Sequence, residues 1–171
     1  MKKSVPVLGA IALGILAASP GQAGPSELAL LSSYIGEWSG SGALVGGTTS
    51  EPFTCRLTVN KGNQAKINYA GRCTLTSMNL SVTGTIAFDD ATRTYQAVMG
   101  SNVGYKGTAV GRISGDKITF DLSEKETDRA GNAVKLGAQI ILVGSNSITV
   151  NYQVEFNDSG RTLTASVPFT K

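Results

Sequence analysis

The chain has 171 residues, a formal net charge of +3 and no histidine. That length suits one ordinary domain with a real core. Without histidine there is no Ser-His-Asp or Cys-His arrangement, the commonest general base is missing, and a zinc site lacks ligands.

Residues 1–23 read as an export leader. Lys2 and Lys3 give a positive start, Val5 to Ala18 is apolar apart from Pro6, Gly9 and Gly14, and Gly21 and Ala23 suit the small-residue positions of a signal-peptidase site. The apolar run falls short of the ~20 residues that a membrane-crossing helix needs. No later segment has the length and apolarity to cross as a helix, and no cysteine follows the cleavage site to carry an acyl anchor. The expectation is a single domain, residues 24–171, in the periplasm or secreted. The leader takes two lysines and no acid with it, so the domain is nearly neutral. Nucleic acid is therefore not an expected partner.

Pro25 and Ser26 open a short predicted helix, Glu27 suits its first turn, and Leu28, Leu31 and Ile35 recur at helical spacing before Gly36 ends it. Beyond it, apolar and polar residues alternate with period two, as in a sheet with one wet face. The first strand puts Trp38, Gly40, Gly42 and Leu44 on its apolar face, the second Phe53, Cys55, Leu57 and Val59, and the third Ile67, Tyr69, Gly71, Cys73 and Leu75. The fourth runs from Met78 to Phe88, the fifth carries Tyr95, Ala97 and Met99, and the sixth Val103, Tyr105, Gly107, Ala109 and Gly111. Ile118, Phe120 and Leu122 mark the seventh, Val134 to Leu142 the eighth, Ile148 to Phe156 the ninth and Leu163 to Phe169 the tenth.

Turn chemistry separates the strands at Gly46-Gly47, Lys61-Gly62-Asn63, Asp89-Asp90, Ser114-Gly115-Asp116, Gly144-Ser145-Asn146 and Asn157-Asp158-Ser159-Gly160. Short turns make sequence neighbours hairpins. The charged stretch from Ser123 to Asn132 reads as a solvated loop. The expected fold is all-β: an antiparallel up-and-down meander of ten strands, closing into a barrel or folding as two packed sheets, with one short N-terminal plug helix. Closure is favoured because it removes the exposed edges. Cys55 and Cys73 lie on the apolar faces of consecutive strands, and an even cysteine count in an exported chain predicts a disulfide between them.

The stretch Ser33 to Gly42, with Gly36-Glu37-Trp38 and then Gly40 and Gly42, resembles the opening of calycin-type barrels: lipocalins, fatty-acid-binding proteins and nitrobindin-like proteins. The resemblance implies a barrel plugged by a short helix, with Gly-x-Trp opening the first strand. Nitrobindin-like proteins hold haem through a histidine, which this chain lacks, so His-ligated haem is excluded. Fatty-acid-binding proteins keep arginine in the lumen. Here Arg161, beside a turn, is the only arginine that alternation places inward. The chain also looks loosely similar to small disulfide-bonded barrels that inhibit metalloproteases, although those have eight strands.

Chemistry is sparse. Asp89, Asp90, Asp116, Asp128 and Asp158 fall in turns or loops, Asp121 and Glu155 alternate onto the polar face, and no two acids are expected to converge on the apolar side. No catalytic residue, cofactor or metal is expected. Tyr69, Tyr95, Tyr105 and Tyr152 point inward and offer hydroxyls either to a ligand or to the core, with Arg161 the candidate for a negative headgroup. Trp38 is expected to pack on the helix. The inward glycines either kink strands or leave room for a ligand. Two functions compete: a binder of a small apolar or amphipathic ligand, and a protein-interaction or protease-inhibitor module that works through the rim or the N-terminal segment. A lumen of ~300 Å³ or more would favour the first.

Overall fold

The computed structural model describes residues 25–76, 78–127 and 131–171. The expected leader lies outside them.

Helix α1 spans Pro25–Ser33, with proline at its first position, where its missing N–H and fixed φ suit the helix. It stops short of Gly36. Tyr34 and Ile35 donate their N–H groups to the carbonyls of Leu31 and Ser32 at 3.2 Å, and Ser33 Oγ donates to the Leu30 carbonyl at 2.6 Å. These bonds tighten the last turn and close the helix there. Gly36 instead opens the first strand, at φ +143°. The helix buries Leu31, packs Leu30 on the core and leaves Leu28 exposed, which corrects the expected stripe.

Ten strands follow: β1 (Gly36–Leu44), β2 (Glu51–Lys61), β3 (Lys66–Thr74), β4 (Asn79–Asp89), β5 (Thr94–Ser101), β6 (Lys106–Ser114), β7 (Lys117–Thr127), β8 (Ala133–Val143), β9 (Ser147–Phe156) and β10 (Thr162–Thr170). Each pairs antiparallel with its sequence neighbours, and β1 pairs with β10, so the sheet closes into a barrel. This decides between the barrel and two packed sheets. The ladders differ in length. β8 and β9 pair continuously from Val134↔Phe156 to Val143↔Ser147, whereas β6 and β7 pair only at Arg112↔Thr119, Ile113↔Ile118 and Ser114↔Lys117.

The predicted inner faces hold, with exceptions near the ends. Met78 and Val103 are exposed, because both fall in connections beyond the strands. The stretch expected as a loop from Ser123 is strand as far as Thr127, paired through Ser123↔Gly137, Glu124↔Leu136 and Lys125↔Lys135. A charged run obscures the alternation there, yet a hairpin needs only backbone bonds to continue past the core. Cys55 and Cys73 are bonded across a registered β2–β3 pair, with Cα atoms 4.0 Å apart.

Most inward glycines make room for the protein's own side chains. A Cβ at Gly84 would collide with the Tyr69 ring and the Val98 carbonyl, and one at Gly111 with the Phe120 ring. The close approach, not a bend, is what requires glycine at these two positions.

Candidate functional site

The two ends of the barrel differ. At the helix end, Trp38 Nε1 donates to the Tyr34 carbonyl at 2.9 Å, and the two rings stack 6.2 Å apart. Tyr34 in turn donates its hydroxyl to the Gly144 carbonyl at 2.6 Å, across to the β8–β9 turn. Lys171 lies over the Trp38 ring, 4.8 Å from its centre, and donates to the Ser33 carbonyl at 2.7 Å. Trp38 therefore packs on the helical segment as expected, and this end is plugged.

The opposite end holds an apolar chamber of about 160 Å³. Leu44 and Phe53 from β1 and β2, Leu80 and Val82 from β4, Met99 from β5, Leu136 from β8 and Val154 from β9 line it, together with Tyr105 and Tyr152. A deeper pocket of about 50 Å³ lies beneath it, against Leu57, Tyr69, Ile140 and Val150. Cys73, Val82, Met99 and Tyr152 touch both spaces and form the partition between them.

The structure separates the five residues singled out from sequence. Tyr105 is 6% exposed, lines the chamber, and its hydroxyl has no hydrogen-bond partner. The hydroxyl sits over Gly107, where a Cβ would crowd it. Burial pushes this phenol up to about 12, and the Glu124 carboxylate adds to the shift. Tyr152 is half-buried and faces both spaces, and burial pushes it up to about 12 as well. Tyr69 reaches only the deeper pocket, and its hydroxyl is spent on the Val98 carbonyl at 3.1 Å. Burial holds it well above the ordinary range for tyrosine, with Tyr152 and Tyr105 contributing.

Tyr95 is at the plugged end. Its ring meets Phe88 edge-on at 4.9 Å, and it lines a cleft with Leu30, Arg93 and Ile113. Arg161 does not enter the lumen. It is exposed, with its guanidinium 4.7 Å from the centre of the Phe156 ring. A guanidinium on an aromatic face at a wet rim keeps its hydration, which a place in an apolar lumen would remove.

The sequence reading missed the acids. Glu124 continues the inward series Phe120, Leu122 and pairs with Leu136, while Glu51 pairs with Leu44. Both thus take inward positions at the open rim. The signal was the alternation itself, carried two residues past Leu122. The outer face has a polar ladder: Gln139 Nε2 donates to Asp121 Oδ1 at 2.7 Å, and Asn151 Nδ2 donates to Gln139 Oε1 at 3.1 Å. Ser114 and Lys117 stand in Ser-x-x-Lys spacing, but both are exposed at the β6–β7 turn. Among the described residues no group of His, Cys, Asp and Glu gathers to hold a metal ion, and no helix is long and apolar enough to cross a membrane.

No family model matches the chain, and no curated protein does. The crystal structure of Rv2717c from M. tuberculosis superposes with a TM-score of 0.59 at 16% sequence identity, covering 85% of this chain and 96% of that one. The structure of EF1p2_mFAP2b bound to DFHBI superposes with a TM-score of 0.45 at 8% identity, covering 85% of this chain and 98% of that one. The likeness to the first is one of fold, and a closed ten-stranded antiparallel barrel with an N-terminal helix fits the calycin-like architecture.

Proposed function

We propose that this protein is an exported, non-catalytic, calycin-like barrel that holds one small apolar or amphipathic molecule at its open end. The chamber carries this reading: an apolar space of about 160 Å³ with Tyr105 in its wall, whose buried hydroxyl packs beside Gly107 without a hydrogen-bond partner. Such a group costs about 1–3 kcal/mol when left unsatisfied. The chamber falls below the ~300 Å³ that would favour a ligand-binding lumen over the rim, so the ligand proposed is correspondingly small. A dry apolar cavity of ~150 Å³ accepts benzene. Export is supported by the leader-like first residues and by a disulfide that suits an oxidising compartment. The absence of histidine supports a binder over an enzyme.

Calorimetric titration with benzene should saturate near one molecule per chain. Replacing Tyr105 with Trp should narrow the chamber and weaken uptake, at an overpacking cost of ~1–3 kcal/mol. Replacing the outward, exposed Thr83 with Trp should leave uptake unchanged. Folded protein that takes up no benzene would sink the proposal and shift attention to the rim and a protein partner. Native mass spectrometry of protein from its own compartment would then look for retained mass.

A further inference from the structure

We infer that the chamber's ligand carries an unbranched aliphatic chain, and that Met99 is the gate through which this chain reaches the deeper pocket. The inference deepens the binding reading and rests on it.

The two spaces are parts of one lumen. Along β2 the lining passes from Phe53 in the chamber to Leu57 in the deeper pocket, and along β8 from Leu136 to Ile140. At a rise of about 3.3 Å per residue, these steps set the two spaces roughly 13 Å apart along the strands. What divides them is the partition of Cys73, Val82, Met99 and Tyr152.

Three of these four residues hold their places. Cys73 is bonded to Cys55, Val82 is β-branched and stiff at χ1, and Tyr152 turns only as a whole ring. Met99 is different. It is buried, yet its unbranched thioether chain has three rotatable bonds and repacks readily. Its rung carries no other Cβ, because it pairs with Gly84 on one side and with Gly107 on the other. The ends of the Tyr69 and Tyr105 rings lie over those glycines, so ring ends border Met99 rather than branched side chains.

When Met99 changes rotamer, the gap it leaves has the cross-section of its own unbranched chain. A second unbranched chain fits that gap, whereas a ring or a branched chain stops in the chamber. A chain that passes Met99 gains apolar contact in the deeper pocket, and each methylene buried there is worth about fourfold in affinity.

The test is calorimetric titration of the full chain with butanol, hexanol, octanol and decanol, and with adamantanol, which holds decanol's carbon count in a compact cage. Affinity should keep rising by about fourfold per methylene from hexanol to decanol, and decanol should bind about tenfold or more tighter than adamantanol. Met99→Ile, similar in volume but β-branched, should flatten the rise beyond hexanol and leave butanol unchanged. Val150 lines the deeper pocket and not the chamber, so Val150→Ile should weaken decanol and spare butanol. That second variant carries the test if Met99→Ile does not fold. The Met99 methyl resonance should shift with decanol and not with butanol. Octanol and decanol no tighter than hexanol, or an unchanged rise in folded Met99→Ile, overturns the inference and leaves the binding reading intact. Failure of benzene and of every alcohol to bind overturns both.

Discussion

Tyr69 and Tyr105 face the same lumen, and their hydroxyls have opposite fates. Tyr69 donates to the Val98 carbonyl, whereas Tyr105 has no partner. The same change at the two positions should therefore differ in sign. Tyr69→Phe loses a bond and should cost about 1 kcal/mol, while Tyr105→Phe removes a buried orphan and should be neutral or stabilising. Thermal unfolding of ligand-free protein checks this. Equal losses at both positions would mean that the Tyr105 hydroxyl is satisfied. Alternation shows that both rings point inward. It says nothing of the partner each hydroxyl finds, because the Val98 carbonyl lies two strands away and is reached only across Gly84.

At the scale of elements, the β2–β3 hairpin is held by a covalent bond as well as by its ladder. Its registered pairs run from Thr54↔Thr74 to Lys61↔Ile67, and the disulfide joins one of them. Peptide mapping without reductant should recover Cys55 joined to Cys73. Replacing both with alanine should lower stability by about 2–4 kcal/mol, chiefly by releasing the unfolded chain. A loss well below 1 kcal/mol in a denaturant titration would show that the ladder alone sets this register. The β7–β8 hairpin shows how charge hides an element. Glu124 and Lys125 look like loop, and they are strand because Leu136 and Lys135 continue the ladder opposite them. The helix ends early for a local reason, the bonds of Ser33, Tyr34 and Ile35, which outweigh the glycine signal at Gly36.

The whole barrel shields its phenols. Burial raises all five tyrosines above their ordinary value of 10.0, and Tyr34, Tyr105 and Tyr152 reach about 12. Folding favours the protonated phenol. The resulting stability is complete below pH 10, where the unfolded chain is still protonated, and is lost as pH rises towards 12. In an alkaline titration, phenolate absorbance should appear together with loss of the barrel's circular dichroism. A distinct ionisation near pH 10 in folded protein would show a phenol open to water. The strand count, the inner faces and the cysteine pair were legible in the sequence because side chains alternate across a strand and turns announce themselves locally. Three things were decided only by the tertiary structure. Closure of β1 onto β10 joins the two ends of the chain, a pairing that no local pattern encodes. The size of the lumen depends on which rings cover which glycines: Tyr69 over Gly84, Phe120 over Gly111. The place of Arg161 was set at a strand end, where solvation and the neighbouring Phe156 ring override the alternation that rules the core.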